Sequence, residues 1–146
     1  MNAKVKIKLD TDSIKHISIF ESMTGAFVKD CIIGEDRVLY VVKPGQAGLA
    51  IGKYGNNIKQ LSRSIKKEVE IVEFSNNLNK FLNNLFRPML VNNLVRVERN
   101  GKVAIRINLV NNNSQASKPN LTINSRLKKA KFFVKKYFGI DELLLG

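Results

Sequence analysis

The pattern of predicted helices and strands repeats once along this 146-residue chain. The first half has an apolar pattern at helical spacing that ends at Gly25, then two segments rich in β-branched and aromatic residues that predict a hairpin. A second helical pattern and an alternating strand complete it. The predicted helices are residues 12–24, 46–51 and 58–65, and the predicted strands are 5–9, 27–33, 37–42 and 68–74.

The same order starts again after Ser75. A helical pattern precedes two strand-like segments separated by Asn100-Gly101, and Asn-Gly is the strongest short hairpin signal. A polar stretch over 111–120 predicts a loop, and a long amphipathic pattern predicts one helix after it. The predicted elements are a helix over 78–86, strands over 89–98 and 102–110, a helix over 121–138 and a final strand within 140–145. The chain is therefore predicted to hold two copies of one α+β unit, residues 1–75 and 76–146.

The basic charge of the chain is concentrated in its second half. The first 75 residues hold 12 basic and 9 acidic residues, a net charge of +3, whereas the remainder hold 13 and 3, a net charge of +10. Between Gly101 and Ile140 there are nine basic residues and no acidic residue. This imbalance favours a polyanionic partner, most commonly nucleic acid. A basic surface without a partner has the same composition, as do ribosomal and membrane-surface proteins.

The composition argues against several other classes of protein. Hydrophobic residues make up 44% of the chain, yet no apolar run reaches the roughly 20 residues of a membrane-spanning helix. The polar N-terminus lacks the apolar core of a secretion signal, and the single cysteine, Cys31, cannot form an intramolecular disulfide, so a cytoplasmic protein is expected. One Cys and one His are too few for structural zinc, and neither clustered carboxylates nor a nucleophile beside a base is found. We therefore expect no catalytic residue, metal, cofactor or small-molecule substrate.

The most informative motif is Gly52-Lys53-Tyr54-Gly55, between two helical segments. Two glycines three apart allow a sharp turn and leave no Cβ in the way, so a sugar-phosphate chain can approach the backbone closely. The amides at the start of the following helix, with its positive dipole end, then face phosphate oxygens. Lys53 would add a mobile charge and Tyr54 a stacking surface or a hydroxyl contact. KH domains use such a loop between two helices to hold about four nucleotides of single-stranded backbone.

By itself this motif is weak evidence, because Gly-x-x-Gly occurs by chance in many chains and usually marks a turn. The surrounding elements reverse that preference, since a hairpin precedes the motif, helices flank it, a strand follows it and basic residues lie around it. No Gly-Lys-Ser or Gly-Lys-Thr is present, so the phosphate loop of nucleotide hydrolases is excluded.

Four longer segments resemble a known family. Residues 20–26 (FESMTGA), 29–33 (KDCII) and 51–58 (IGKYGNNI), in this order and spacing, resemble the archaeal NusA-like transcription factors, and residues 135–141 (KKYFGID) resemble the end of their second domain. The resemblance covers nearly the whole chain. It implies two tandem type II KH domains, each a small three-stranded mixed sheet covered on one face by helices. It also implies single-stranded RNA as a partner, a role in transcription elongation, termination or antitermination, and RNA polymerase as a further partner.

The second unit departs from the family pattern. Counting back from the C-terminal motif, the second Gly-x-x-Gly should fall at residues 121–124, where the chain has Leu-Thr-Ile-Asn and no glycine. We therefore expect a degenerate loop there, so that the first unit makes the close backbone contact and the second adds mostly electrostatic affinity. The predicted RNA-binding residues are Gly52, Lys53, Tyr54, Gly55, Asn56, Lys59 and Arg63 in the first unit, and Arg126, Lys128, Lys129, Lys131 and Lys135 in the second.

Two functions from different classes stay open at this level. The favoured one is a small RNA-binding protein of two KH units, involved in transcription and without catalysis. The other is an assembly subunit whose KH folds bind RNA polymerase or ribosomal proteins and whose glycine loop is residual. Weak RNA binding together with tight protein association would favour the second.

Overall fold

The structure is a computed structural model that describes residues 11–111 and 121–146. The strand predicted over 5–9 and nearly all of the loop predicted over 111–120 lie outside the described residues. The chain divides into two compact units, residues 1–75 and 76–146. Each unit contains one three-stranded sheet within its described residues.

The described part of the first unit contains three α-helices, one 3₁₀ turn and three strands. In chain order they are α1 (Thr11–Thr24), β1 (Val28–Ile33), β2 (Arg37–Val42), α2 (Ala47–Ile51), the 3₁₀ turn (Lys53–Gly55), α3 (Asn56–Ile65) and β3 (Glu68–Glu73). The strand order is β1-β2-β3, with β1 antiparallel and β3 parallel to β2. The expected mixed sheet is confirmed, and β3 is an edge strand.

Local signals position the elements of the first unit. The N–H of Gly25, which has a positive φ of 78°, donates to the Glu21 carbonyl at 2.9 Å and closes the C-terminus of α1. The Gly34 N–H donates to the Arg37 carbonyl at 2.7 Å, so the hairpin turn lies where the sequence predicts it.

One core lies between the helices and the first sheet. Phe20 of α1, Tyr40 of β2 and Leu61 of α3 are fully buried in it. The ring centroids of Phe20 and Tyr40 are 4.2 Å apart, and the Tyr40 hydroxyl donates to the His16 carbonyl at 3.2 Å. Burial raises the pKa of Tyr40 well above its ordinary value, and the neighbouring Cys31 adds to the rise.

The described part of the second unit contains two helices and three strands. They are α4 (Leu78–Phe86), β4 (Leu90–Arg99), β5 (Lys102–Val110), α5 (Leu121–Phe138) and β6 (Glu142–Leu145). The strand order is β4-β5-β6, again antiparallel and then parallel. Both sheets therefore have the same topology, as a repeated unit requires.

Turn and cap residues again explain the boundaries. The Asn77 side chain accepts a hydrogen bond from the Lys80 N–H at 2.9 Å and caps α4. Asn100 and Gly101 both have positive φ, which is the backbone of a tight two-residue hairpin turn. Phe81 of α4 and Phe133 of α5 are fully buried and meet edge to face, with ring centroids 6.1 Å apart.

The two units differ in what precedes their last strand. α3 has 10 residues and follows a glycine turn, whereas α5 has 18 residues. Residues 121–124, where a second Gly-x-x-Gly is expected from the family pattern, form the first turn of α5. No helix of the described residues combines the length and the apolar character that a membrane crossing requires.

Candidate nucleic-acid interface

The segment Gly52-Lys53-Tyr54-Gly55, here called the clamp loop, connects α2 to α3. Three of its four residues have positive φ: 78° at Gly52, 57° at Tyr54 and 73° at Gly55. The Gly52 N–H donates to the Gly48 carbonyl at 3.0 Å, and the Gly55 N–H donates to the Gly52 carbonyl at 3.1 Å. The loop is thus a hydrogen-bonded turn, and its backbone runs through a region that favours glycine.

The first glycine is required by packing as well as by φ. A Cβ at Gly52 would lie 2.7 Å from Cγ of Asn57 and 2.9 Å from its backbone nitrogen. Asn57 cannot easily retreat, because its side-chain Nδ2 donates to the Leu49 carbonyl at 2.9 Å and ties the first turn of α3 to α2. A Cβ at Gly55 would have nothing within 4 Å, so the second glycine is needed only for its left-handed backbone.

The two side chains at the tip of the clamp loop point into solvent. Tyr54 is 86% exposed, Lys53 is exposed, and the Lys53 ammonium lies 5.6 Å from the Tyr54 ring centroid. The first turn of α3 carries no acidic residue, so the positive end of its dipole is not neutralised within the helix. The loop therefore presents a cation, an aromatic ring and a helix N-terminus together.

A groove of about 410 Å³ lies beside the clamp loop, between α3 and the edge strand β3. Its lining residues are Ile58, Lys59, Ser62, Arg63, Glu68 and Val69, and we call it the α3–β3 groove. Ile58 and Val69 supply apolar surface, while the side chains of Lys59 and Arg63 are exposed. Sequence reasoning placed Lys59 and Arg63 here but did not identify the strand residues, because the groove exists only once β3 packs beside α3.

Charge in the α3–β3 groove is net positive. Its lining includes one acid, Glu68, whose carboxylate pairs with the Arg37 guanidinium across β2 and β3 at 2.7 Å. Lys59 and Arg63 are one helical turn apart on α3, so both project along the same side. The groove can therefore take an anion along its rim and an apolar ring on its inner surface.

In the second unit, the predicted basic residues divide into distinct sets. Lys128, Lys131 and Lys135 are exposed and share one face of α5, here called the α5 lysine face. Lys129 is half-buried, on the neighbouring side. Phe132 lies there as well, with the Lys136 ammonium 5.6 Å from its ring centroid. The α5 lysine face is a cationic surface without an acidic residue in the helix.

Arg126 has a different position from these lysines. Its Nη1 donates to the carbonyls of Arg87 at 2.6 Å and Leu85 at 3.2 Å. Those carbonyls belong to the C-terminal end of α4, where helix carbonyls lack intrahelical partners. Arg126 was predicted to bind RNA, but these two hydrogen bonds are structural and join α5 to α4.

The predicted residues are thus brought together in two groups. Gly52 to Asn56, Lys59 and Arg63 form a continuous surface on the first unit, and the α5 lysine face belongs to the second. Among residues 11–111 and 121–146, no three His, Cys, Asp or Glu side chains come together as a potential metal site.

Similarity to known proteins agrees with this geometry. A family model described as KH domain matches residues 14–115. A protein of Halococcus morrhuae named probable transcription termination protein NusA is 32% identical over 100 residues, which cover 68% of this chain and 72% of the relative. The chain belongs to the archaeal NusA-like family of KH-domain proteins. The resemblance recognised in the sequence is therefore confirmed.

Other relatives of this NusA-like chain differ in length. A protein of the same name from Methanococcus vannielii is 41% identical over 85 residues, 58% of this chain. The matched region spans about half of that relative, 49% of its length. The crystal structure of APE1850 superposes with a TM-score of 0.76 at 29% identity, covering 94% of this chain and all of that one. The likeness in fold thus extends across both units.

Proposed function

We propose that this protein is an RNA-binding transcription termination factor of the NusA type, which holds single-stranded RNA on its first KH unit. The relatives are named probable transcription termination protein NusA, and KH domains are single-stranded RNA-binding modules. The clamp loop is the observation that carries the proposal. Its glycine backbone, exposed Lys53 and exposed Tyr54 stand at the N-terminus of α3.

The clamp loop holds the sugar-phosphate backbone. Gly52 and Gly55 have no side chain between the main chain and the ligand, so phosphates approach closely. The N-terminus of α3 adds a partial positive charge, and Lys53 adds a full one. These contacts recognise the backbone and are independent of base sequence.

The bases turn towards the α3–β3 groove. Ile58 and Val69 offer apolar surface to their faces, and Ser62 is half-buried in the same groove. Lys59 and Arg63 lie along its rim, where they contact phosphates or base edges. The groove, rather than the clamp loop, accordingly sets base preference.

The second unit adds affinity through charge. Lysines of the α5 lysine face attract phosphates without a glycine loop, and such contacts weaken steeply with salt. The proposed role is binding without catalysis, linked to elongation, termination or antitermination. RNA polymerase is the proposed protein partner in that process.

Fluorescence-anisotropy binding of short single-stranded RNA over a salt series tests the proposal. The variant Lys53→Asp, Tyr54→Asp places acids in the clamp loop and should lose about tenfold or more in affinity, since each charge beside a phosphate contributes on the order of 1 kcal/mol even in water. The matched control Lys15→Asp, Ser18→Asp makes the same change in net charge at exposed positions of α1. Equal losses in both variants would mean that only overall charge matters and would refute the clamp.

A second function, assembly with a protein partner, is favoured by one other surface. This surface, the helix-free face of the second sheet, encloses about 570 Å³ and is lined by Val97, Arg99, Asn100, Lys102, Ala104, Arg106, Glu142 and Leu144. Val97 and Leu144 are 37% and 38% exposed, whereas Leu39 and Val41 on the corresponding face of the first sheet are buried. Apolar surface with basic residues around it fits an acidic protein partner.

The two functions predict that different variants lose binding. If assembly is the main role, Val97→Glu, Leu144→Glu should abolish binding to purified archaeal RNA polymerase, and the clamp-loop variant should bind it normally. RNA affinity would then be weak in the wild type and unaffected by the clamp-loop variant.

A further inference from the structure

A second exposed apolar group lies beside α2, outside the clamp loop and the α3–β3 groove. Phe27, the residue before β1, is 55% exposed, and Leu49 of α2 is 50% exposed. Single exposed apolar residues are ordinary, but these two lie at the same end of the unit. Leu49 Cδ2 is 3.8 Å from where a Cβ of Gly25 would stand, and Gly25 is two residues before Phe27.

The backbone of Phe27 is held firmly although its ring is exposed. Its N–H donates to the Gln46 side-chain oxygen at 3.1 Å, and its carbonyl accepts from the Lys43 N–H at 3.0 Å. The Glu21 carboxylate accepts from the next amide, that of Val28, at 2.9 Å. An aromatic ring on a fixed backbone loses little conformational freedom when a ligand stacks on it.

A cation accompanies the ring. The Lys43 ammonium lies 5.7 Å from the Phe27 ring centroid, and Lys43 is exposed. Proteins that bind single-stranded nucleic acid pair aromatic rings, which stack on bases, with basic side chains that follow the backbone. The ring and the cation together therefore match a base and its neighbouring phosphate.

Helix α2 links this group to the clamp loop. Gln46, which holds the Phe27 N–H, is the N-cap residue of α2, and Gly52 is its C-cap. A helix of five residues spans about 7.5 Å. The Phe27 ring is therefore one short helix away from the phosphate site, close enough for single-stranded RNA that leaves the clamp loop to reach it.

We propose that Phe27 and Lys43 form a base-stacking subsite that extends the RNA footprint beyond the nucleotides held by the clamp loop. The inference rests on the proposed function and deepens it. One base stacks on the Phe27 ring, Leu49 borders the base with apolar surface, and the Lys43 ammonium contacts the adjacent phosphate.

The test compares two lengths of single-stranded RNA in the anisotropy assay. One has about four nucleotides, the length that a KH clamp holds, and the other about nine. Phe27→Ala should weaken binding of the longer RNA by about 5- to 150-fold, the range for losing one stacked base. Binding of the shorter RNA should stay within about twofold of the wild type, because it does not reach the ring.

Matched variants separate stacking from other effects. Phe27→Tyr keeps the ring and should keep the affinity, whereas Phe27→Leu keeps apolar bulk and should lose it. Ile14→Ala removes another exposed side chain, 54% exposed on α1, and should change neither RNA. Lys43→Gln should lower the slope of log affinity against log salt by about 0.7 on the longer RNA only, the value for one single-strand phosphate contact. Far-UV circular dichroism checks that each variant is folded.

The outcomes distinguish a failure of this inference from a failure of the proposed function on which it rests. If the clamp-loop variant loses affinity for both RNAs and Phe27→Ala loses affinity for neither, the subsite is overturned and the proposed function stands. If Phe27→Ala weakens both lengths equally, the subsite is also overturned. Normal RNA binding by Phe27→Leu overturns it as well, because apolar bulk would then be sufficient without stacking. If the wild type binds neither RNA, the subsite and the proposed function fail together.

Discussion

Gly52→Ala should destabilise the first unit more than Gly55→Ala, although both remove a glycine from the clamp loop. A Cβ at Gly52 would lie 2.7 Å from Cγ and 2.9 Å from the backbone nitrogen of Asn57, closer than Cβ atoms pack. Relief requires movement of the first turn of α3, because one of the two atoms is backbone. A Cβ at Gly55 meets nothing within 4 Å.

The magnitudes follow from backbone geometry. Gly52 has φ 78° and ψ 172°, a combination that is essentially restricted to glycine and costs another residue about 1–3 kcal/mol. Displacing Asn57 also threatens its hydrogen bond to the Leu49 carbonyl, which contributes about 1 kcal/mol. Gly55 is left-handed, with φ 73° and ψ 18°, at a cost to alanine of about 1–2 kcal/mol. Gly52→Ala is therefore expected to lose about 2–4 kcal/mol in all.

Urea unfolding followed by far-UV circular dichroism measures the difference, by linear extrapolation of the free energy of unfolding for each variant. The RNA affinity of Gly52→Ala should fall as well, since the loop that approaches phosphate has moved. If Gly55→Ala proves as destabilising as Gly52→Ala, or more so, the packing argument at Asn57 is refuted.

Three further predictions concern the second unit and the core. Replacing the three lysines of the α5 lysine face by Gln should lower the salt slope of RNA binding by about 2, since each single-strand phosphate contact contributes about 0.7. The free energy of unfolding should stay unchanged. An unaltered slope in the anisotropy series would contradict this prediction. Arg126→Met removes hydrogen bonds to the carbonyls of Leu85 and Arg87. Its free energy of unfolding, measured in urea, should therefore be about 1–3 kcal/mol lower, while the salt slope of RNA binding stays the same. The raised pKa of Tyr40 means that the unfolded chain releases this proton at a lower pH than the folded chain, so the stability it contributes is complete below about pH 10 and falls above it by up to about 1.4 kcal/mol per pH unit. Tyr40→Phe removes this ionisable group. Above about pH 10 the wild type should therefore lose unfolding free energy relative to the variant, and plots of unfolding free energy against pH that stay parallel for the two proteins would refute the argument.

Elements with signals at both ends could be predicted from the sequence. The helix over Leu78–Phe86 was predicted with the bounds that the structure has, because Asn77 caps its start and Arg87-Pro88 stops it. The Asn100-Gly101 turn likewise determines which residues pair across β4 and β5. These signals act between residues that are neighbours in the chain.

Roles set by distant contacts could not be predicted in this way. Arg126 lies among lysines, and no local pattern distinguishes an arginine that binds the carbonyls of α4, about 40 residues earlier, from a lysine that faces solvent. The strand residues of the α3–β3 groove could not be predicted for the same reason, because Val69 becomes a neighbour of Ile58 only through packing. Phe27 was predicted as the first residue of a strand, but it precedes β1 and is 55% exposed.

The central claim is that RNA is held at the clamp loop. The most direct measurement is a ¹H–¹⁵N NMR titration of the ¹⁵N-labelled protein with single-stranded RNA of about four nucleotides. The account predicts that the amides of residues 52–57 shift most, that those of 58–63 shift less, and that those of α1 stay in place. Shifts confined to α5, with the clamp-loop amides unmoved, would contradict it.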